Sequence, residues 1–348
     1  MSALSRRDTL RLSLGLGVSS LALGAPMRSF AAGDLLRVTH YGGPYVALET
    51  IIGEPFMDAG LGEVEYEQDQ PNLILAKWQA QPDSPVYDIG LFERAPTLRA
   101  GSSGLALPLT EQNVPNIANA LPGAVAEGGA GVALAFDTID IMYDTDQVSE
   151  PITSWLDLWR PELAGKIMLP GLPIDGAVAF TLVAVARAMG MTEEQVDEVF
   201  PRFIELKDSV HSFYSDPNQA SQLIERGEIA VAIQYSARIG QLMKRYPNIT
   251  RATPTEGVPA IPYDLVVAAN TSAPETAAEY VNFALQPDIQ AQVCSTILLN
   301  PAVSGVDVGE ETLSYIITDQ SKMFPVNDPV VLELQQGWLE RWQREVQS

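Results

Sequence analysis

Aromatic rings and carboxylates recur where strand-like runs of this chain stop. Tyr41 and Tyr45 flank a Gly-Gly-Pro turn in HYGGPY, Phe92 and Glu93 follow VYDIGL, and Phe136 precedes Asp137 in VALAFDTID. Asp175 stands in GLPIDGA, Tyr235 closes AIQY, and Tyr263 precedes Asp264 in VPAIPYDLVV. The chemistry such a set offers is recognition of an organic cation. A ring quadrupole attracts positive charge by about 0.5 to 2 kcal/mol per contact in a desolvated pocket. A buried ammonium also needs a carboxylate, because an unpaired one is very costly. Each residue has a plainer use as well: the tyrosines as core rings beside a tight turn, Glu93 as a surface partner of Arg94, Asp137 as a turn-former, Phe136 as core.

Covalent chemistry has far less to work with. One cysteine excludes an intramolecular disulfide and a cysteine-based zinc site, and two histidines leave little for metal or general-base catalysis. Cys294, in the apolar pattern AQVCSTILL, reads as a small core residue. No GxSxG elbow, phosphate loop or HExxH pair is present. Two carboxylates across a cleft would be enough for glycoside hydrolysis, but nothing in the sequence pairs them. The reading is of a protein that is not an enzyme and carries no cofactor.

The elements that must position these residues alternate. LLRVTHY, GEVEYEQ and VYDIGLF read as strands separated by the helical patterns ALETIIGEPFMDAG and LILAKWQAQ. VALAFDTIDIMYDT predicts two strands with little between them. After it come a strand in GKIMLP, the apolar helix AVAFTLVAVARAMG, a helix-strand-helix run over NQASQLIERGEIAVAIQYSARIGQLM, the strand PYDLVVAAN and two helices over PETAAEYVNFALQPDIQAQV. Val331, Leu334, Trp338 and Trp342 share one face of a C-terminal helix, which marks those tryptophans as packing. Repeated strand-helix-strand units argue for an α/β sheet with crossover helices. With 348 residues the chain can bury one large or two medium cores, and without a long Pro/Gly linker two lobes would be joined by strand crossings.

Residues 1–31 read as an export signal. Arg6 and Arg7 precede an apolar run from about Leu12 to Leu23, with Ser29 and Ala31 placed for cleavage near Ala31. SRRDTL resembles the twin-arginine motif, with Thr9 where an aromatic is common; the general secretory route stays open. Removing this segment takes away four basic residues and one acidic one, so the formal charge of −23 becomes −26. That field repels nucleic acid and raises the local concentration of cations. Solubility or a saline habitat would explain it equally well.

Several stretches line up in order with one family. YGGPYVALETIIGEPFMDAG, VYDIGLFERAPTLRAGSSGLALPL, ITSWLDLWRPELAGKIMLPG, LIERGEIAVAIQYSARI and AAEYVNFALQPDIQAQV resemble successive landmarks of the polyamine (spermidine/putrescine)-binding type of substrate-binding protein that serves ABC importers. The resemblance implies a type II periplasmic binding protein fold, α/β in two lobes hinged by crossing strands. Lobe 1 would comprise 34–136 and 267–300, and lobe 2 137–266 and 301–348. It also implies a monomeric periplasmic receptor that closes on a small, cationic molecule and presents it to an ABC permease in the inner membrane.

Within that resemblance Tyr235 matches a strand-end aromatic of the polyamine binders and Asp264 a ligand-binding acid. Asp175 lies in the right segment, but Gly176, Ala177 and Val178 follow where a second acid is expected. A smaller monocation, a quaternary amine or a zwitterion would therefore suit the set better than a polyamine. The same fold holding an amino acid, an aminophosphonate or ferric ion stays open, as does a periplasmic sensor. Ser236 after Tyr235 removes the adjacent tyrosine pair that ferric binders use, and Arg94 and Arg238 could serve a carboxylate-bearing ligand.

Overall fold

The computed structural model describes residues 34–317 and 319–348, so the export-signal reading of residues 1–31 lies outside the described residues. Three parallel strands begin the fold: β1 (Leu35–His40), β2 (Glu63–Gln68) and β3 (Ile89–Glu93), with β1 between the other two. Next in the chain come β4 (Val132–Asp144), β5 (Ile167–Pro170), β6 (Val210–Tyr214), β7 (Val231–Tyr235), β8 (Ile249–Arg251) and β9 (Val258–Val267). The order across the main sheet is β2-β1-β3-β9-β4-β7-β5-β6. β5 runs parallel to β6 and β7, mirroring the first three strands, and the two parallel sets are joined through β9 and β4.

β4 and β9 differ from the rest in length and burial. β4 is 13 residues long with every residue buried, and β9 is 10 residues with every residue buried. VALAFDTIDIMYD is thus one strand, not the expected two. It holds no glycine or proline, and Asp137 does not turn the chain but keeps its carboxylate inside the fold. At about 3.3 Å per residue β4 extends roughly 43 Å, enough to cross both halves of the sheet. Its early part pairs with β9 and its later part, from Ile139, with β7.

Helices cover the sheet as the apolar spacing requires. Asp175–Ala188 buries a nearly continuous apolar face, as expected for a helix packed on several sides. The C-terminal segment lies against it, with Val331, Trp338 and Trp342 buried and the Trp342 indole donating to the Pro170 carbonyl at 3.2 Å. Cys294 is fully buried in Pro287–Ile297, as the apolar pattern indicates.

Candidate functional site

The carboxyl ends of β1, β3 and β7 and the crossings of β4 and β9 face one another. They enclose a cleft of about 780 Å³ whose walls include Tyr41, Tyr45, Glu93, Asp137, Tyr235 and Tyr263. A second cavity of about 520 Å³ continues past Tyr41, Gln70, Glu93 and Tyr235 to Asp175 and Asp328. Glu93 and Tyr235 therefore stand where the two spaces meet. Gly176 adjoins both groups: a Cβ built there would sit in ordinary contact with Glu93 Oε2 at 3.7 Å and the Tyr235 hydroxyl at 3.8 Å.

HYGGPY builds the first wall. Gly42 has φ of 75° and Gly43 of 56°, left-handed values that a side chain would oppose. The Gly42 N–H donates to His40 Nδ1 at 2.9 Å, which leaves His40 Nε2 to donate to Glu49 Oε1 at 3.0 Å. A 3₁₀ turn, Gly43–Val46, then sets Tyr45 beside Tyr41. Tyr41, Tyr45 and Tyr263 pack edge to face, with ring centroids 5.2, 5.7 and 5.5 Å apart. That geometry suits the ring quadrupoles, and the cluster is a rigid aromatic wall. The Tyr41 hydroxyl is buried without a hydrogen-bond partner among the described residues.

Strand pairing decides which candidates reach the cleft. Glu93 of β3 lies opposite Tyr263 of β9, and Phe92 lies opposite Asp264. Neighbours along a strand point to opposite faces, so Glu93 and Tyr263 share the cleft face while Phe92 and Asp264 share the other. Phe92 is fully buried against Trp78, with ring centroids 5.3 Å apart. Asp264, fully buried, pairs with Arg94 at 3.1 Å through both carboxylate oxygens. Phe136 likewise points away from its neighbour Asp137, into a small cluster with Ala133 and Ala260. Asp264, Phe92 and Phe136 thus line neither cavity and pack away from the cleft. Asp175 begins the helix Asp175–Ala188 and lines only the second cavity.

Asp137 stands in Asp264's stead on the cleft face. Its Oδ1 accepts from the Thr138 N–H at 2.8 Å, the Ser236 hydroxyl at 2.8 Å and the Ala237 N–H at 3.2 Å. Among the described residues Oδ2 meets only the Tyr263 hydroxyl, which donates at 3.5 Å, and so keeps capacity toward the cleft. Burial raises the Asp137 carboxyl above its ordinary value while these donors pull it back. Glu93 has no hydrogen bond or ion pair to its carboxylate among the described residues. Burial, with the charges of Asp137 and Asp175 nearby, raises its pKa to about 7. Burial also raises the hydroxyls of Tyr41, Tyr235 and Tyr263 well above the ordinary phenol value, so they act as neutral donors.

Sequence reading did not select Asn218, Gln222 or Gln241, which complete the first cavity. Polar residues on amphipathic helices look like a solvated face, and only the fold shows that this face meets HYGGPY. Asp137 carried a weak signal, shared with Asp140 and Asp144 of the same strand: an acid in a largely apolar run is costly to bury unless it has a task. The set can hold a positive group between two carboxylates and a ring wall. It offers no nucleophile paired with a base among the described residues.

Residues 84–316 match a family model described as bacterial extracellular solute-binding protein, and the chain belongs to that family. It is 30% identical over 151 residues to the spermidine/putrescine-binding periplasmic protein of Escherichia coli K12, a match spanning 42% of this chain and 41% of that protein. A Haemophilus influenzae protein named spermidine/putrescine-binding periplasmic protein 1 is 26% identical over 184 residues, 51% of this chain and 48% of its own. The matched region thus spans less than half the length of these relatives. Among solved structures, an ABC transporter protein from Clostridium perfringens superposes with a TM-score of 0.79 at 22% identity, covering 89% of this chain and 99% of that one. A spermidine/putrescine ABC transporter substrate-binding protein from Streptococcus pneumoniae does so with a TM-score of 0.74 at 17% identity, covering 90% and 99%. These likenesses bear out the two-lobe α/β fold and the polyamine-binding-like resemblance.

Proposed function

We propose that this member of the bacterial extracellular solute-binding family captures a small organic nitrogen compound through its ammonium group and presents it to an ABC permease of the inner membrane. The observation that carries this reading is Glu93, a carboxylate without a partner among the described residues, set with Asp137 and a tyrosine wall in a cleft large enough for a small solute. A positive group entering there satisfies two desolvated carboxylates at once, and ring faces add attraction that bulk water cannot. The receptor does no covalent chemistry; binding shifts an equilibrium between open and closed lobes, and the closed form is what a permease reads.

The lobes divide inside β4 near Thr138 and inside β9 near Pro262, since Tyr263–Val267 pair with β3. On this reading the return to lobe 1 begins at Tyr263, where pairing with β3 starts. The protein works as an exported periplasmic monomer. A thermal-shift screen of the mature chain against amines, quaternary amines, amino acids, phosphonates and ferric salts tests the reading. A ligand at a hundred times its dissociation constant stabilises by about 2.7 kcal/mol. Hits confined to ammonium compounds are expected; hits confined to anions or ferric ion would contradict it.

A further inference from the structure

The cleft carries charge of both signs, and the two signs do not neutralise each other. Of the two arginines that line the first cavity, Arg245 is paired with Glu225 at 3.0 Å. Arg238 touches only a neutral acceptor, donating to the Asn218 amide oxygen at 2.8 Å. It forms no ion pair with Glu93, Asp137 or any other carboxylate among the described residues, although the protein is strongly acidic. Burial raises the Tyr45 and Tyr214 hydroxyls well above the ordinary phenol value, and the nearby charge of Arg238 offsets only a part of that rise. Arg238 is exposed on the cleft wall, and the neutral amides of Asn218, Gln222 and Gln241 line the same cavity.

We infer that the solute carries an anionic group as well as an ammonium: the ammonium is held between Glu93 and Asp137, and a carboxylate or equivalent anion is received by Arg238 and the neighbouring amides. An amine with no anionic group would place its positive charge in a cavity that already holds an unpaired guanidinium. A bare anion would face two carboxylates. A ligand bearing both groups satisfies each pole, and a guanidinium fork suits a carboxylate in particular. Complementarity of this kind excludes wrong partners as much as it attracts the right one.

This inference rests on the ammonium reading, so the test uses pairs that differ only by the carboxylate. Calorimetry would compare lysine with 1,5-diaminopentane, ornithine with 1,4-diaminobutane, and 4-aminobutanoate with propylamine, on the mature wild-type chain and on Arg238→Gln. In at least one pair the amino acid should bind tenfold or more tightly than its amine. Arg238→Gln should weaken that amino acid at least tenfold and tighten the amine, a reversal that general damage would not produce. Amines binding as tightly as their amino acids, or an Arg238→Gln variant that keeps the amino-acid preference, would overturn the inference while leaving the ammonium reading intact. Amino acids and amines that all fail to bind would overturn both.

Discussion

Glu93, half-buried, and Asp264, fully buried, both have carboxyls raised to about 7, yet their chemistry differs because of what faces them. Asp264 has Arg94 in contact and completes a structural pair, whereas Glu93 has an open cleft. Raising a carboxyl's pKa on folding costs stability as the pH rises: the penalty is absent below the unfolded value near 4.5, grows through about 7 and is constant above it. Glu93→Gln should therefore stabilise the unliganded protein by about 1–2 kcal/mol at pH 8 and by nearly nothing at pH 4, measured by denaturant titration. An ammonium binds the ionised form, so wild-type affinity should fall by up to tenfold per pH unit below 7, and Glu93→Gln should flatten that dependence. Asp264→Asn should leave buried Arg94 with only the more distant Asp328 carboxylate, at 3.8 Å, and destabilise the fold by about 3 kcal/mol. Ligand affinity of the molecules still folded should stay near wild type, which calorimetry below the melting temperature checks.

The turn after β1 and the crossing strands are the elements on which the site depends. A Cβ at Gly42 would lie 2.3 Å from the Gln68 side chain at a φ no ordinary residue favours. Gly42→Ala should cost about 1–3 kcal/mol by combining strain with a displaced wall, and should weaken ligand binding by shifting Tyr41 and Tyr45. A melting temperature and affinity both unchanged would mean that the turn yields freely. These elements were unevenly legible in the sequence. Period-two and period-3.6 patterns placed β2, the helices over 217–243 and the paired helices over 274–297, because one face of each is more buried than the other, and a short apolar run placed β3, whose faces are both buried. The burial of both faces of β4 erased its alternation, so its length stayed hidden. At Tyr263-Asp264 the sequence places a ring and an acid side by side, but which one faces the cleft follows from the pairing with Glu93 and Phe92, a register no local pattern records.

At the scale of the molecule, two mirrored sets of parallel strands meet through β4 and β9, and the site lies where they meet. Neither half holds a complete site: Tyr41, Tyr45 and Glu93 come from the first strands, Tyr235 and Arg238 from β7 and the helix after it, and Asp137 and Tyr263 from the crossings. A solute touching all of them favours the closed arrangement by its differential affinity. Family resemblance made this architecture legible in the sequence, while the pairing of Glu93 with Asp137, 44 positions further along, required the fold. The most direct test of ammonium capture is calorimetric titration, on wild type and on the Glu93→Gln/Asp137→Asn double variant, of the amine or amino acid that gives the largest thermal shift. The variant should keep its melting temperature or raise it, and lose affinity by about a hundredfold or more, equal to about 2.7 kcal/mol. Affinity within threefold of wild type would contradict the account, because no carboxylate would then be holding the ligand's positive charge.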